Sequence, residues 1–316
     1  MRVGLIVDSA CDLPYAFIKQ HGIFILPVTA RIDGQTFVDD HDPVTTRTFY
    51  QSGLLEKGHE AETEAFSVQQ IYDLFMQEII TQYDLAFCET VTRTRSMIYQ
   101  NATDAMQRVL ADYRSSRAEP DQNELFTMRV IDSRSIFAGQ GLLAAHTVHL
   151  IKQSIGKNAL RQRVESFTDS MYNVVIPRDL YYVRARARRR GDKSVSGVVA
   201  FLGKALNITP VLWGQGAEGQ PVAKVRSFEG AVEKVIDYAV GRIKDGLLSP
   251  YVSLSYGVEE DELEQLPGLD RLKRACEENG IELLLSQMGI TSSIYVGPGS
   301  VCLALAAEPH DFSDYA

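Results

Sequence analysis

Hydroxyl and carboxyl side chains gather where apolar runs of this chain end. Val3-Gly4-Leu5-Ile6-Val7 runs into Asp8-Ser9, and Met128-Arg129-Val130-Ile131 runs into Asp132-Ser133. Thr90-Val91-Thr92-Arg93-Thr94-Arg95-Ser96 follows Leu85-Ala86-Phe87-Cys88, and Glu62-Thr63-Glu64-Ala65-Phe66-Ser67 puts a second hydroxyl cluster ahead of a helix. Read for structure alone, each Asp-Ser pair is a helix cap, its short oxygens accepting orphan N–H groups. Read for chemistry, helix N-termini with free N–H groups and nearby hydroxyls suit a carboxylate or a phosphate. Ser96 can cap the helix that follows or donate to an anion held there. The pattern describes an anion-headed ligand site without catalytic apparatus.

Other chemistries find little support. Gly139-Gln140-Gly141-Leu142-Leu143-Ala144 fits a dinucleotide pattern, but seven residues separate it from the preceding strand, so the tight turn is missing. Phosphate-loop, H-E-x-x-H and G-x-S-x-G signatures are absent from the sequence. The six histidines form no ligand cluster, His146 and His149 reading as partly exposed residues of one helix. Asp39, Asp40 and Asp42 could suggest a metal, yet their spacing fits a solvated loop at least as well. We expect no catalytic residues, no metal and no cofactor.

The elements that must position these groups alternate. Compact apolar runs read as strands buried on both faces, and residues 67–80, 96–110 and 139–155 read as helices. Residues 115–123 read as a loop, and Asp33-Gly34 reads as a hairpin turn. After Thr168 the character changes to an α+β pattern, with an extended segment at 172–177, a helix near 198–206 and a hairpin around Trp213. The expected architecture is α/β in two domains. Residues 1–172 form a mainly parallel sheet flanked by helices, residues 173–316 an α+β unit, and the ligand lies in the cleft between them.

Bulk properties fit. A chain of 316 residues with 45% hydrophobic content is long enough for two cores, yet carries no apolar run of membrane-spanning length. The first residues lead straight into a strand without a leader pattern, and Cys11, Cys88, Cys276 and Cys302 are scattered, so a cytoplasmic protein is expected. A net charge of −9 argues against general nucleic-acid binding. Against that background Arg184, Arg186, Arg188, Arg189 and Arg190 form a basic stretch, either a solvated turn or a docking surface for an acidic protein partner or anionic membrane.

In these motifs the chain resembles the DegV family of fatty-acid-binding proteins. Val7-Asp8-Ser9-Ala10-Cys11-Asp12-Leu13-Pro14 is similar to the family's opening motif, and Ile25-Leu26-Pro27-Val28 with Asp33-Gly34 to its next segment. Thr63 with Ser67 falls on its Thr-Ser-x-Pro loop, and Ser96, Tyr99, Gln100 and Ala102 on its Ser-Gly-Thr-Tyr-Gln-Ser-Ala helix start. Ile131-Asp132-Ser133, Phe201-Leu202-Gly203, Pro210-Val211-Leu212 and Gly297-Pro298-Gly299 complete the series in order. The resemblance implies a two-domain DegV-like fold that buries one long-chain fatty acid, its carboxylate held by the residues falling here on Thr63 and Ser96. It implies no enzyme activity, and a separate fatty-acid kinase that phosphorylates the presented acid. Asp8, Ser9, Thr92, Met97, Ile98, Tyr295 and Gly297 are expected to line or support the pocket.

The sequence departs from the family at Glu64, Phe66 and Thr92-Arg93, at Met97-Ile98, whose bulk should narrow or reshape the head site, and at Tyr295, where the family has His. The basic stretch replaces a shorter Gly-Gly-Arg turn on the side that faces the kinase. Two other function classes stay open: a small-molecule kinase or transferase of related fold, and a lipid-sensing regulatory protein.

Overall fold

The computed structural model describes residues 1–55, 59–117, 125–189, 208–216 and 218–314. Three of the apolar runs form parallel strands, β1 (Val3–Asp8), β6 (Leu85–Thr90) and β7 (Thr127–Asp132); with β2 (Phe24–Leu26) they build a four-stranded sheet ordered β2-β1-β6-β7. Their lack of alternation has a direct cause, since helices cover both faces. On one face pack α3 (Val68–Leu74), which continues as a π-turn through Ile79, and α4 (Ile98–Asp112). Ser67 caps α3 in a reciprocal bond with Gln70.

On the other face lies α5 (Ala138–Lys152), buried nearly all round because almost every residue from Ala138 to Val148 is small or apolar. Beyond α5 stands a second, six-stranded sheet, so one helix is shared between two sheets. That sheet comprises β8 (Met171–Ile176), β9 (Thr209–Gln215), β10 (Glu218–Val225), β11 (Tyr251–Tyr256), β12 (Glu282–Gln287) and β13 (Val301–Ala306) in the order β10-β9-β8-β13-β11-β12. All its pairings are antiparallel except β11 with β12. Its outer face is closed by α8 (Phe228–Asp245) and α9 (Leu269–Glu278). The molecule is thus an α/β stack, helices–sheet–helix–sheet–helices, with α1 (Tyr15–His21) and α6 (Lys157–Phe167) at the edges of the shared layer.

A three-stranded antiparallel sheet is attached beside this stack: β3 (Val28–Ile32), β4 (Gln35–Asp39) and β5 (Ala61–Ala65), with β3 central. Asp33 and Gly34, both at positive φ, make the expected hairpin turn. Its core is closed by α2 (Pro43–Gln51), capped by Asp42, and by α10 (Ile290–Val296), which contributes Ile290 and Ile294 from near the far end of the chain.

Several local expectations are corrected. His146 is buried rather than partly exposed: its ring stacks on Phe167 at 3.6 Å, and burial lowers its pKa to about 4. Asp39 is buried rather than solvated. The basic stretch is a helix, α7 (Leu180–Arg189), rather than a turn. The expected helix near 198–206 and part of the expected loop, residues 118–123, lie outside the described residues. Among those described, no helix is long and apolar enough to cross a membrane.

Candidate binding site

The carboxyl ends of β1, β6 and β7 point the same way, so the loops after them meet. The two Asp-Ser pairs organise this meeting and do not cap helices. Asp8 accepts from the N–H groups of Ala10 (2.9 Å) and Val91 (2.6 Å), whereas α1 starts after Pro14 without a side-chain cap. Asp132 accepts from the N–H groups of Arg134 (2.9 Å) and Arg93 (3.3 Å), whereas α5 likewise starts uncapped. Between those bonds the Thr92 N–H donates to the Ser135 carbonyl at 3.0 Å. Three successive N–H groups of the loop after β6 are therefore pinned to three different acceptors. Ser9 works in the same manner: it donates to the carbonyls of Leu26 and Asp39 and accepts from the Val28 N–H, fixing the start of β3.

These loops, β5, β8, β9, α7 and α10 enclose a cavity of about 950 Å³. Of the residues expected at the site, Asp8, Thr63, Ser96, Met97, Ile98 and Tyr295 line it. Ser9, Thr92 and Gly297 do not; they hold the backbone behind it. Thr63 sits on β5 rather than on a loop, paired with Ala30 of β3. Its hydroxyl hydrogen-bonds the Tyr295 phenol, joining the three-stranded sheet to α10. Ser96 lies one residue ahead of the cap position of α4, and its Oγ accepts from the Ile98 N–H at 3.2 Å. Met97 stands 65% exposed at the rim, while Ile98 is fully buried. The two bulky residues thus divide between the mouth and the wall.

The α10 segment is held from several sides. Asp12 accepts from the Gly289 N–H (3.0 Å) and the Ser292 hydroxyl (2.8 Å), Asp39 accepts from the Thr291 N–H (2.7 Å), and Tyr50 donates to the Met288 carbonyl (3.1 Å). Its exit is Gly297 at φ 89°, where a Cβ would stand 2.8 Å from the Tyr182 ring. Glycine is required there on both counts.

Burial pushes the carboxyls of Asp8 and Asp12 up to about 6, against the backbone N–H bonds that favour ionisation. Glu89, on β6 behind the site, is pushed up to about 8 by burial, with only the Thr147 hydroxyl opposing. Among the described residues no group of three or more His, Cys, Asp or Glu side chains could hold a metal ion.

The basic stretch splits. Arg186 turns inward, 5% exposed, donating to the His59 carbonyl at 2.8 Å with its guanidinium 4.9 Å from the Tyr182 ring centre, so it is not available for docking. Arg184 and Arg188 are exposed. Arg190 and the side chain of Arg189 lie outside the described residues. Val183 and Ala187 of the same helix line the cavity. Sequence reasoning missed Ser135, Phe137, Asn173, Val175 and Leu212, all of which line it too. Asn173 carried a signal, one amide within the buried run of β8.

Comparison with known proteins bears on the family and the fold. The profile of the family described as "Uncharacterised protein, DegV family" matches residues 2–308. A DegV domain-containing protein of Xanthomonas campestris pv. campestris is 44% identical over 313 residues, 99% of this chain and all of the relative. Among solved structures, a stearic acid-binding protein from Eubacterium ventriosum superposes with a TM-score of 0.77 at 20% identity, covering 97% of this chain and 98% of that one. The Streptococcus pneumoniae Fatty Acid Kinase B3 protein, loaded with linoleic acid, gives 0.72 at 16% identity over 98% and 100%. At those identities the likeness is one of fold.

Proposed function

The chain belongs to the DegV family, and on that premise we propose that it binds a long-chain fatty acid in the cavity, without catalysis of its own. One observation carries the reading. Thr63 and Ser96, brought from β5 and from the loop before α4, line a single cavity whose other walls include Val28, Ala65, Val175 and Leu212. Its volume is of the size that encloses a small ligand. Each methylene moved from water into such a space contributes about 0.8 kcal/mol, while the two hydroxyls donate to the carboxylate. Tyr295 holds Thr63 in place for that role.

The exposed Arg184 and Arg188, on the helix whose Val183 and Ala187 face the cavity, support a docking face beside the ligand for an acidic partner. By family likeness that partner is a fatty-acid kinase that receives the presented carboxylate. An anionic membrane that supplies the acid would meet the same charges. Charge complementarity there speeds encounter and fades as salt shortens the Debye length.

Native mass spectrometry of protein purified from cells tests the reading. A bound mass near that of a C16–C18 acid is expected, and Thr63→Ala with Ser96→Ala should reduce it without shifting the melting curve. An empty protein that also fails to take up added fatty acid, or one carrying a nucleotide, would refute it.

A further inference from the structure

The cavity has a second polar spot on a different wall, where the loop after β7 meets β8. Ser135 and Asn173 both line the cavity there. Ser135 is 4% exposed. Its N–H donates to the Ser133 hydroxyl and its carbonyl accepts from the Thr92 N–H and from that same hydroxyl, but its own Oγ has no hydrogen-bond partner among the described residues. Among the described residues Asn173 uses only Oδ1, which accepts from the Cys302 thiol at 3.0 Å, and its amide N–H groups have no partner.

The two side chains converge on Gly139 at the start of α5. A Cβ on that residue would meet Ser135 Oγ at 1.9 Å and Asn173 Oδ1 at 3.2 Å, so a larger residue would displace both. Around them the wall is apolar, formed by Phe137, Val175 and Leu212. The loop is held there under strain: Phe137, a bulky residue that lines the cavity, sits at φ 51° and ψ −121°.

A saturated acyl chain crossing this spot would strip water from a hydroxyl and an amide and give nothing in return. An oxygen on the chain would pair with both. That oxygen must be neutral, because Ser135 and Asn173 carry no charge and Arg134, which reaches Gly216 of the cavity wall, is paired with Asp169. Resting on the fatty-acid reading above, we propose that Ser135 and Asn173 recognise a hydroxyl on the acyl chain, so that the preferred ligands are hydroxylated long-chain fatty acids. The Asn173 N–H donates to the ligand oxygen, and the ligand hydroxyl donates to Ser135 Oγ.

The test compares octadecanoic acid with a positional series of monohydroxyoctadecanoic acids, binding each to delipidated full-length protein by calorimetry. At least one hydroxylated position should bind about tenfold more tightly than octadecanoic acid, the worth of one buried neutral hydrogen-bond pair. In Ser135→Ala/Asn173→Leu the ratio of the two affinities should fall to about one. Ser135→Ala alone, a smaller change, should lower it part of the way and serves if the double variant does not fold. If octadecanoic acid binds as well as every hydroxylated acid, or if the folded variants keep the wild-type ratio, the inference is overturned and the spot holds only water. If folded wild-type protein binds none of these acids, the fatty-acid reading itself falls and takes this one with it.

Discussion

The hydrogen bond between Thr63 and Tyr295 gives the sharpest mutational test of the head site, because it joins two elements more than two hundred residues apart in sequence. Thr63→Val removes the hydroxyl proposed to reach the carboxylate and keeps the β-branched shape that suits β5. A hydrogen bond to a charged group is worth about 1.5–3 kcal/mol, and at about 1.4 kcal/mol per decade that is roughly a 10- to 150-fold loss of affinity. Tyr295→Phe keeps the ring and removes only the phenol that orients Thr63. A neutral bond is worth about 0.5–1.5 kcal/mol, so roughly a two- to tenfold loss is expected. The double variant decides the mechanism. If Tyr295 acts through Thr63, the tyrosine change adds almost nothing once Thr63 is valine, and the cycle shows a coupling of about 0.5–1.5 kcal/mol. Dissociation of a fluorescent fatty acid into acceptor vesicles measures all four proteins, with thermal melts as the folding control. Strict additivity, or unchanged dissociation in Thr63→Val, would refute the reasoning.

Three further outcomes are expected. Glu89, raised to about 8 from an ordinary 4.5, keeps a proton in the folded protein that the unfolded chain has lost, so stability falls as pH rises between those values. Asp8 and Asp12 add the same slope between 3.8 and about 6. Glu89→Gln should flatten the upper part of that slope and raise the melting temperature near pH 9 by a few degrees, with little change near pH 5; thermal melts across pH would show it. Gly297→Ala forces a Cβ into the Tyr182 ring at positive φ and should destabilise the fold by about 1–3 kcal/mol, read by urea unfolding. Arg184→Ser with Arg188→Ser should leave stability within about 0.5 kcal/mol and slow lipid transfer to anionic vesicles or to an acidic protein acceptor at low salt, whereas Arg186→Ala should destabilise, since it removes the bond to the His59 carbonyl and the contact with the Tyr182 ring.

The parallel sheet was legible because its strands are apolar on both faces, and α5 because it is apolar all round. The meeting of strand-end loops was legible too, although the Asp-Ser pairs serve neighbouring loops rather than helices, a distinction that depends on strand order. Thr63 was misplaced for a clear reason. Ala61-Glu62-Thr63-Glu64-Ala65 has poor strand composition, and it becomes β5 only through the ladder with β3 and the Arg31–Glu64 ion pair. The helix α10 was unreadable as well. Seven residues rich in Ile, Thr and Ser have little helix preference, and bonds from Asp12, Asp39 and Tyr50 supply what the segment lacks. The inward turn of Arg186 depends on the His59 carbonyl, which no local pattern reveals.

The position of α10 also bears on the order in which this protein can be made. A ribosome that has delivered residues 1–289 has built the strands carrying Thr63 and the loop carrying Ser96, yet the core around Phe49 and Ile32 still lacks Ile290 and Ile294. Asp12 then lacks the Ser292 hydroxyl, Asp39 lacks the Thr291 N–H, and Thr63 faces no tyrosine. The head site therefore closes only once residues 290–296 have docked against β3 and β5. On the proposed reading, protein in which α10 is undocked would not retain a fatty acid, so the acid would enter an assembled cavity rather than guide the folding of its first strands.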